Sequence, residues 1–199
     1  MTKIAIIYYS MYGHLRALAQ GIKKGIESAN AEVQLFQIKE TLPDEVLAKM
    51  GAPPKSDDPI ATPDTLAEYD GIIFGVSARY GGLPAQLHAF LDSTGGLWQK
   101  GQLVGKPAAV FQCTANQGGG QESVGQSAVR FMAHQGMVFV PLGYRNAKAF
   151  NNEEVHGASP WGAGTLANGD GSRMPSQLEL DIATTQGKSF AGIVAKLSK

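Results

Sequence analysis

The stretch Tyr8-Tyr9-Ser10-Met11-Tyr12-Gly13-His14 joins two different hydrophobic periodicities. Before it stands the apolar run Ile4-Ala5-Ile6-Ile7, rich in β-branched residues, which predicts a strand over residues 4–9. After it, Leu15, Leu18, Ala19, Ile22 and Ile26 recur at helical spacing, which predicts a helix over about 14–29. A helix that begins straight after a strand aims unpaired N–H groups and its positive dipole end at the loop between them. Such a corner is an anion site, and phosphate is its usual occupant. Ser10 adds a hydroxyl, and Gly13 lets the backbone come close. An ordinary βα turn carrying a serine has the same letters, so the rest of the chain has to decide.

Outward from that corner, Val33-Gln34-Leu35-Phe36-Gln37-Ile38 alternates as a second strand. Residues 43–50 read as a short helix with Pro43 at its start and Gly51 as its stop, and 51–61 as an exposed loop. Thr62-Pro63-Asp64 opens another helix, with Thr as cap, Pro in the first position and acid in the first turn. Gly71-Ile72-Ile73-Phe74-Gly75-Val76 is a buried strand that runs into a second polar loop, Ser77 to Gly82. Residues 84–92 carry Leu87, Phe90 and Leu91 on one helical face, and Thr94-Gly95-Gly96-Leu97-Trp98 reads as a Gly-rich turn. Pro107 to Phe111 is the next strand, and Gln112 to Gly120 is a third loop. A helix over about 121–135 places Val124, Ala128, Phe131, Met132 and Gln135 on one side. Met137 to Val140 forms the last strand, closed by Pro141. Residues 143–175, rich in Gly and Asn, read as a long loop of functional or interface character. From Gln177 an amphipathic helix turns Leu178, Ile182, Phe190, Ile193, Val194 and Leu197 inward.

Strands alternating with helices specify an α/β fold with a parallel sheet. Five strands fit one doubly wound domain over 1–199, flavodoxin-like, in the order 2-1-3-4-5 with an added loop-rich segment at 143–175. In that order ligands bind at the carboxyl ends of the strands, at the switch between strands 1 and 3. The loops after strands 1, 3 and 4 would meet there, and a flavin phosphate is the expected occupant of the Ser10 corner.

Composition narrows the function. Lys plus Arg number 17 and Asp plus Glu number 17, so there is no basic field for nucleic acid. The same balance speaks against a small acidic electron carrier that docks by charge. One cysteine, Cys113, allows no intrachain disulfide and suits a reducing compartment. The N-terminal apolar run is too short for a signal peptide, and no stretch is long and apolar enough to span a membrane. The expectation is a cytoplasmic protein with no integral membrane segment, a peripheral membrane association being left open. Four histidines and one cysteine show no metal-ligand spacing. Gly75-Val76-Ser77-Ala78-Arg79 lacks the closing glycine of a nucleophile elbow. Gly162-Ala163-Gly164-Thr165-Leu166-Ala167 matches a dinucleotide fingerprint by letter but follows Ser159-Pro160-Trp161 rather than a strand.

The second loop offers small residues, Arg79 and Tyr80 to a flat ring, or is a surface loop with a solvated arginine. The third loop, with Gly118 to Gly120, lets a ring or sugar chain pass close to the backbone, or is simply flexible. Cys113 has no basic neighbour in sequence to lower its pKa and reads as a bystander there. His134 near a helix end and Trp98 after two glycines have ordinary structural readings.

Seven ordered blocks together resemble the WrbA family of FMN-dependent NAD(P)H:quinone oxidoreductases. They are residues 8–14, Ala78-Arg79-Tyr80-Gly81, residues 91–98, Gly118 to Glu122, Ala133 to Val138, Pro141 to Tyr144 and Asn168 to Arg173. The resemblance covers essentially the whole chain. It implies FMN bound by each subunit of a homotetramer, a dimer of dimers, with NADH or NADPH as co-substrate and small-molecule quinones as acceptors. By position it implies that Ser10, Met11, Tyr12, Gly13, His14 and Leu15 hold the phosphate. Ala78, Arg79, Tyr80 and Gly81, with Cys113, Thr114, Ala115, Asn116, Gln117, Gly118 and Gly119, would hold the ring. His134 would reach FMN, Tyr12 the nicotinamide nucleotide, and Trp98 would line the quinone site. No side chain is expected to act as an acid or base, and two-electron transfer would give a protective role in oxidative stress. The chain departs from the family pattern at Val76-Ser77-Ala78, where Thr-Pro-Thr is common and one flavin-facing hydroxyl is lost, and in a third loop one residue longer. The rival readings are a flavodoxin-like electron carrier and a non-enzymatic flavodoxin-like scaffold.

Overall fold

The computed structural model describes residues 1–198. The first strand, β1 (Lys3–Tyr8), is central: it pairs in parallel with β2 (Glu32–Gln37) on one side and β3 (Gly71–Ser77) on the other. β3 pairs in parallel with β4 (Pro107–Thr114), and β4 with β5 (Val138–Phe139), which gives the expected order 2-1-3-4-5. The helices between strands are α1 (His14–Glu27), α2 (Asp44–Lys49), α3 (Pro63–Glu68), α4 (Ala85–Asp92), α5 (Gly95–Gln99) and α6 (Gln121–His134). α7 (Gln177–Leu197) closes the chain.

The period-2 alternation of β1 divides the core. Ile4, Ile6 and Tyr8 face α1 and α7, whereas Ala5, Ile7 and Tyr9 face the layer that includes Leu66 of α3, Leu87 and Phe90 of α4, and Val124 and Met132 of α6. α1 and α7 approach so closely that a methyl group on Gly25 would fall against the Thr184 carbonyl, and one on Gly187 against the Ile22 carbonyl. Backbone-to-backbone packing therefore fixes the position of α1, whose first turn forms the corner.

The outer edge holds the expected fifth strand and one more. The edge position is divided: β5 (Val138–Phe139) pairs with Pro107 and Ala108 at the base of β4, and β6 (Gly164–Leu166) pairs with Gln112, Cys113 and Thr114 at its top. The sheet therefore has six strands. Gln112, Cys113 and Thr114 belong to β4 and not to a loop, because β6 supplies all three with ladder partners and β3 pairs with the first two. The expected unstructured segment 143–175 contains that sixth strand and a 3-10 turn at Ala147–Phe150. Half of the glycine-rich motif at 162–167 is thus strand, which suits its rejection as a βα phosphate loop. Residues 94–98, expected as a turn, mostly form α5, and Leu197 is exposed although its spacing points inward. No helix among the described residues is long and apolar enough to cross a membrane.

Candidate functional site

The three polar loops meet. A cavity of about 320 Å³ lies at the carboxyl ends of β1, β3 and β4, at the small end of the size range of ligand sites. Of the residues singled out in the sequence, Ser10, Met11, Tyr12, His14, Leu15, Ala78, Arg79, Cys113, Thr114 and Ala115 line it.

The corner is built by Gly13, which caps α1 in the left-handed region at φ 93°. Its N–H donates to Ser10 Oγ at 3.1 Å, which folds the hydroxyl over the helix end. The first turn of α1 contains no acidic residue, so nothing in it opposes an anion. His14, only 6% exposed, points Nε2 at the Gly171 carbonyl 3.0 Å away. A carbonyl only accepts, so Nε2 carries the proton.

The second loop turns sharply, with reciprocal hydrogen bonds between Arg79 and Gly82 of 2.9 Å each. Ala78 N–H donates to Cys113 O, which ties this loop to β4. Ser77 Oγ is buried at the cavity wall with no hydrogen-bond partner among the described residues. Arg79 is exposed, and Tyr80, at φ 52°, holds its ring wholly in solvent. The second and third loops abut where Gly120 meets Gly81.

On the third side, burial pushes the Cys113 thiol up to about 12, with the negative charge of Glu179 adding to the effect. The thiol therefore stays protonated at neutral pH and is a poor nucleophile. Asn116, Gln117, Gly118 and Gly119 are exposed at the mouth and do not form the walls. Gly13 faces a neighbouring cavity of about 240 Å³ shared with Ser10, Met11, Arg16 and Lys55. Tyr80 and Gly81 lie outside the lining. His134 sits in the last turn of α6, the end away from the third loop, and Trp98 on α5 is 63% exposed; neither reaches this cavity.

One wall is absent from the sequence-based set: Ala167, Asn168, Gly169, Asp170 and Gly171, which follow β6. The carboxylate of Asp170 is occupied by the N–H and hydroxyl of Ser172. The signal in the sequence was the run Asn168 to Arg173 itself, dense in turn-forming residues.

Beneath the corner, Tyr9 OH donates to Glu40 at 2.9 Å, and Lys55 Nζ lies 2.9 Å from the same carboxylate in an ion pair without hydrogen-bond alignment. Burial works to raise the Glu40 pKa, but Lys55, the Leu42 and Thr41 N–H groups and Tyr9 outweigh it and hold the carboxyl at about 2. A second knot joins Arg16 Nε to Asp58 at 2.9 Å, with Tyr8 OH and Ser56 Oγ donating to the same oxygen.

An acid-free helix terminus, glycine-lined loops that touch and an orphaned buried hydroxyl together fit a phosphorylated flat cofactor such as FMN. Comparison with known proteins agrees. A family model described as NADPH-dependent FMN reductase matches residues 2–152. The chain belongs to this family. The matched residues of the FMN reductase family take in the corner and the second and third loops, and stop short of the Ala167–Gly171 wall. An NAD(P)H quinone oxidoreductase of Candida albicans is 56% identical over 99% of this chain and 69% of its own length. A quinone oxidoreductase of Triphysaria versicolor is 55% identical over 100% of this chain and 98% of its own. A WrbA-like flavodoxin structure from Agrobacterium tumefaciens shares the fold at a TM-score of 0.67, with 21% identity over 98% of this chain and 99% of that one.

Proposed function

We propose that this protein is an FMN-dependent NAD(P)H:quinone oxidoreductase, a reading carried by the acid-free α1 corner that opens into a slot between two touching loops. The names of the two relatives above, each more than half identical, support the same activity. When bound, the flavin supplies a hydride acceptor for NADH or NADPH and a two-electron donor for the quinone.

The protein's part is to bind and orient. The N–H groups at the start of α1, with Ser10, hold the phosphate, and the backbone of Ser10–Leu15 sets where the sugar chain leaves. Ala78 and Arg79, with Cys113, Thr114 and Ala115, flank the ring, Tyr80, Gly81 and Asn116–Gly119 stand at the mouth, and Ser77 stands next to Ala78, where the family pattern has a hydroxyl. Arg79 at the cavity wall favours negative charge on the reduced ring. Tyr12, 41% exposed at the edge, offers an aromatic face to a flat nicotinamide or quinone. The neutral Cys113 thiol resists addition to an electrophilic quinone. His134 and Trp98 can act only on a cavity of another copy, a role for the homotetramer that the sequence resemblance implies. The single cysteine supports a cytoplasmic setting.

The test is an absorbance spectrum after FMN loading and desalting, followed without air by NADH or NADPH and then benzoquinone. Bands that bleach with nucleotide and return with quinone are expected. Retained flavin that neither nucleotide reduces would replace the enzyme with an electron carrier. No retained flavin and no turnover with excess FMN would leave a scaffold.

A further inference from the structure

The wall Ala167–Arg173 is fastened at its ends, within itself and at its tip. Ala167 N–H donates to Thr114 O at 2.9 Å, and Arg173 N–H returns to Ala167 O at 3.0 Å. Inside, Gly171 N–H donates to Asn168 O at 3.2 Å, with both residues left-handed at φ 76° and 65°. At the tip, the Gly171 carbonyl accepts from His14 Nε2.

Under this wall lies an ion pair that the flavin chemistry does not use. Arg173 Nη1 is 3.0 Å from Glu179 Oε2 and donates to Leu166 O at 2.8 Å, while Nη2 donates to Val155 O at 2.9 Å. The Glu179 side chain is wholly buried. It also accepts from Gly157 N–H at 3.0 Å, Thr165 Oγ1 at 2.8 Å and Ser176 N–H at 2.9 Å. Two charged groups therefore draw the inserted segment, β6, the cavity wall and the start of α7 to one point. Apolar replacement of a buried pair is often neutral for stability, so the contribution of this one is sought in geometry. A planar guanidinium with donors in fixed directions sets orientation as well as distance.

We propose that Arg173, held by Glu179, is a positioning residue for the phosphate corner. It fixes the wall so that the Gly171 carbonyl faces His14, and that contact keeps the imidazole in the Nε2–H form beside the anion site. The effect on flavin affinity rests on the functional reading above; the effect on the imidazole does not.

The test uses the full-length chain labelled with 15N, without flavin, in mildly alkaline buffer. The His14 ring signals are identified by their loss in His14→Gln. Wild type is expected to show one protonated and one bare ring nitrogen. In the double variant R173M/E179Q, which leaves no lone buried charge, the two shifts are expected to converge as tautomers exchange. Flavin fluorescence quenching should then give an FMN dissociation constant raised about tenfold, the scale of one lost hydrogen bond. The same pair of changes made in a His14→Phe background should cost little more than His14→Phe alone, because the contact is already gone. An unchanged His14 tautomer, or affinity losses that add fully, would overturn the assignment. A thermal melt of R173M/E179Q establishes that the comparison is between folded proteins. If wild type binds no FMN while the tautomer responds as described, the flavin reading fails and the positioning assignment stands.

Discussion

The two sides of the cavity are built by opposite means. On the corner side, His14 is buried, Gly13 is fixed by its left-handed cap, α1 is locked against α7, and the wall at Asn168–Gly171 is tied back to the helix. On the ring side, Arg79, Tyr80 and Ala115–Gly119 stand in solvent, held mainly by short hydrogen bonds such as Arg79 with Gly82 and Gly119 with Asn116. A charged group needs preorganised donors, since reorienting dipoles at the moment of binding costs affinity. A flat ring that two substrates visit in turn needs an open face. On the function proposed above, order is placed where the phosphate would be held, and openness where the substrates would exchange.

The sharpest test of that contrast removes the scaffold of the corner. Gly25→Ala or Gly187→Ala would drive a methyl group into the facing carbonyl of Thr184 or Ile22. Each is expected to cost about 3 kcal/mol of stability, read from denaturant melts, because backbone cannot step aside as a side chain can. By contrast, Gly118→Ala on the ring side meets nothing within 4 Å and changes only a residue at φ 68°, an expected cost of about 1 kcal/mol. Equal losses would abolish the distinction between the two sides.

Binding comes next in size. Ser10→Asp places a carboxylate at the helix terminus and is expected to weaken FMN about a hundredfold by fluorescence quenching. Tyr80→Ala removes a ring that stands wholly in solvent, and the FMN dissociation constant should move by less than about threefold. A large Tyr80 effect would mean that the ring side closes over the ligand.

A separate test concerns pH and the base of the corner. Glu40 has a folded pKa of about 2 against an ordinary 4.5, so the folded state prefers the carboxylate. Its contribution to stability is complete above the ordinary value and is lost as pH falls toward 2. Stability measured across this interval should fall less steeply in Glu40→Gln than in wild type. Matching slopes would show that other carboxylates govern the acid limb.

Much of this was legible in the sequence because the signals were local. The apolar run of β1, the periodicity of α1 and the Ser10–Gly13 loop each lie within a few residues, and the parallel order followed from strand–helix alternation. What escaped depended on distant partners. Gly164-Thr165-Leu166 has too few residues to announce a strand, and becomes one only because Gln112–Thr114 offers an unpaired edge. For the same reason Cys113 and Thr114 read as loop. The Ala167–Gly171 wall belongs to the cavity through contacts such as His14 with Gly171, which no window of neighbouring residues contains. Trp98 and His134 show the converse: resemblance assigned them to the site, while the single chain leaves both exposed, away from this cavity.

The divided outer strand has a consequence for how such a protein can vary. The chain leaves β4 after Phe139 and rejoins the same neighbour at Gly164. The number of residues between Phe150 and Val155, which hold neither the contacts of Asn146 and Lys148 with α7 nor the Arg173 bond to Val155, is therefore invisible to the sheet, which registers only the points of departure and return. Evolution, or an engineer, can lengthen, shorten or exchange that span as a cassette, altering the surface the molecule presents while the hydrogen-bonded frame around the cavity keeps its register.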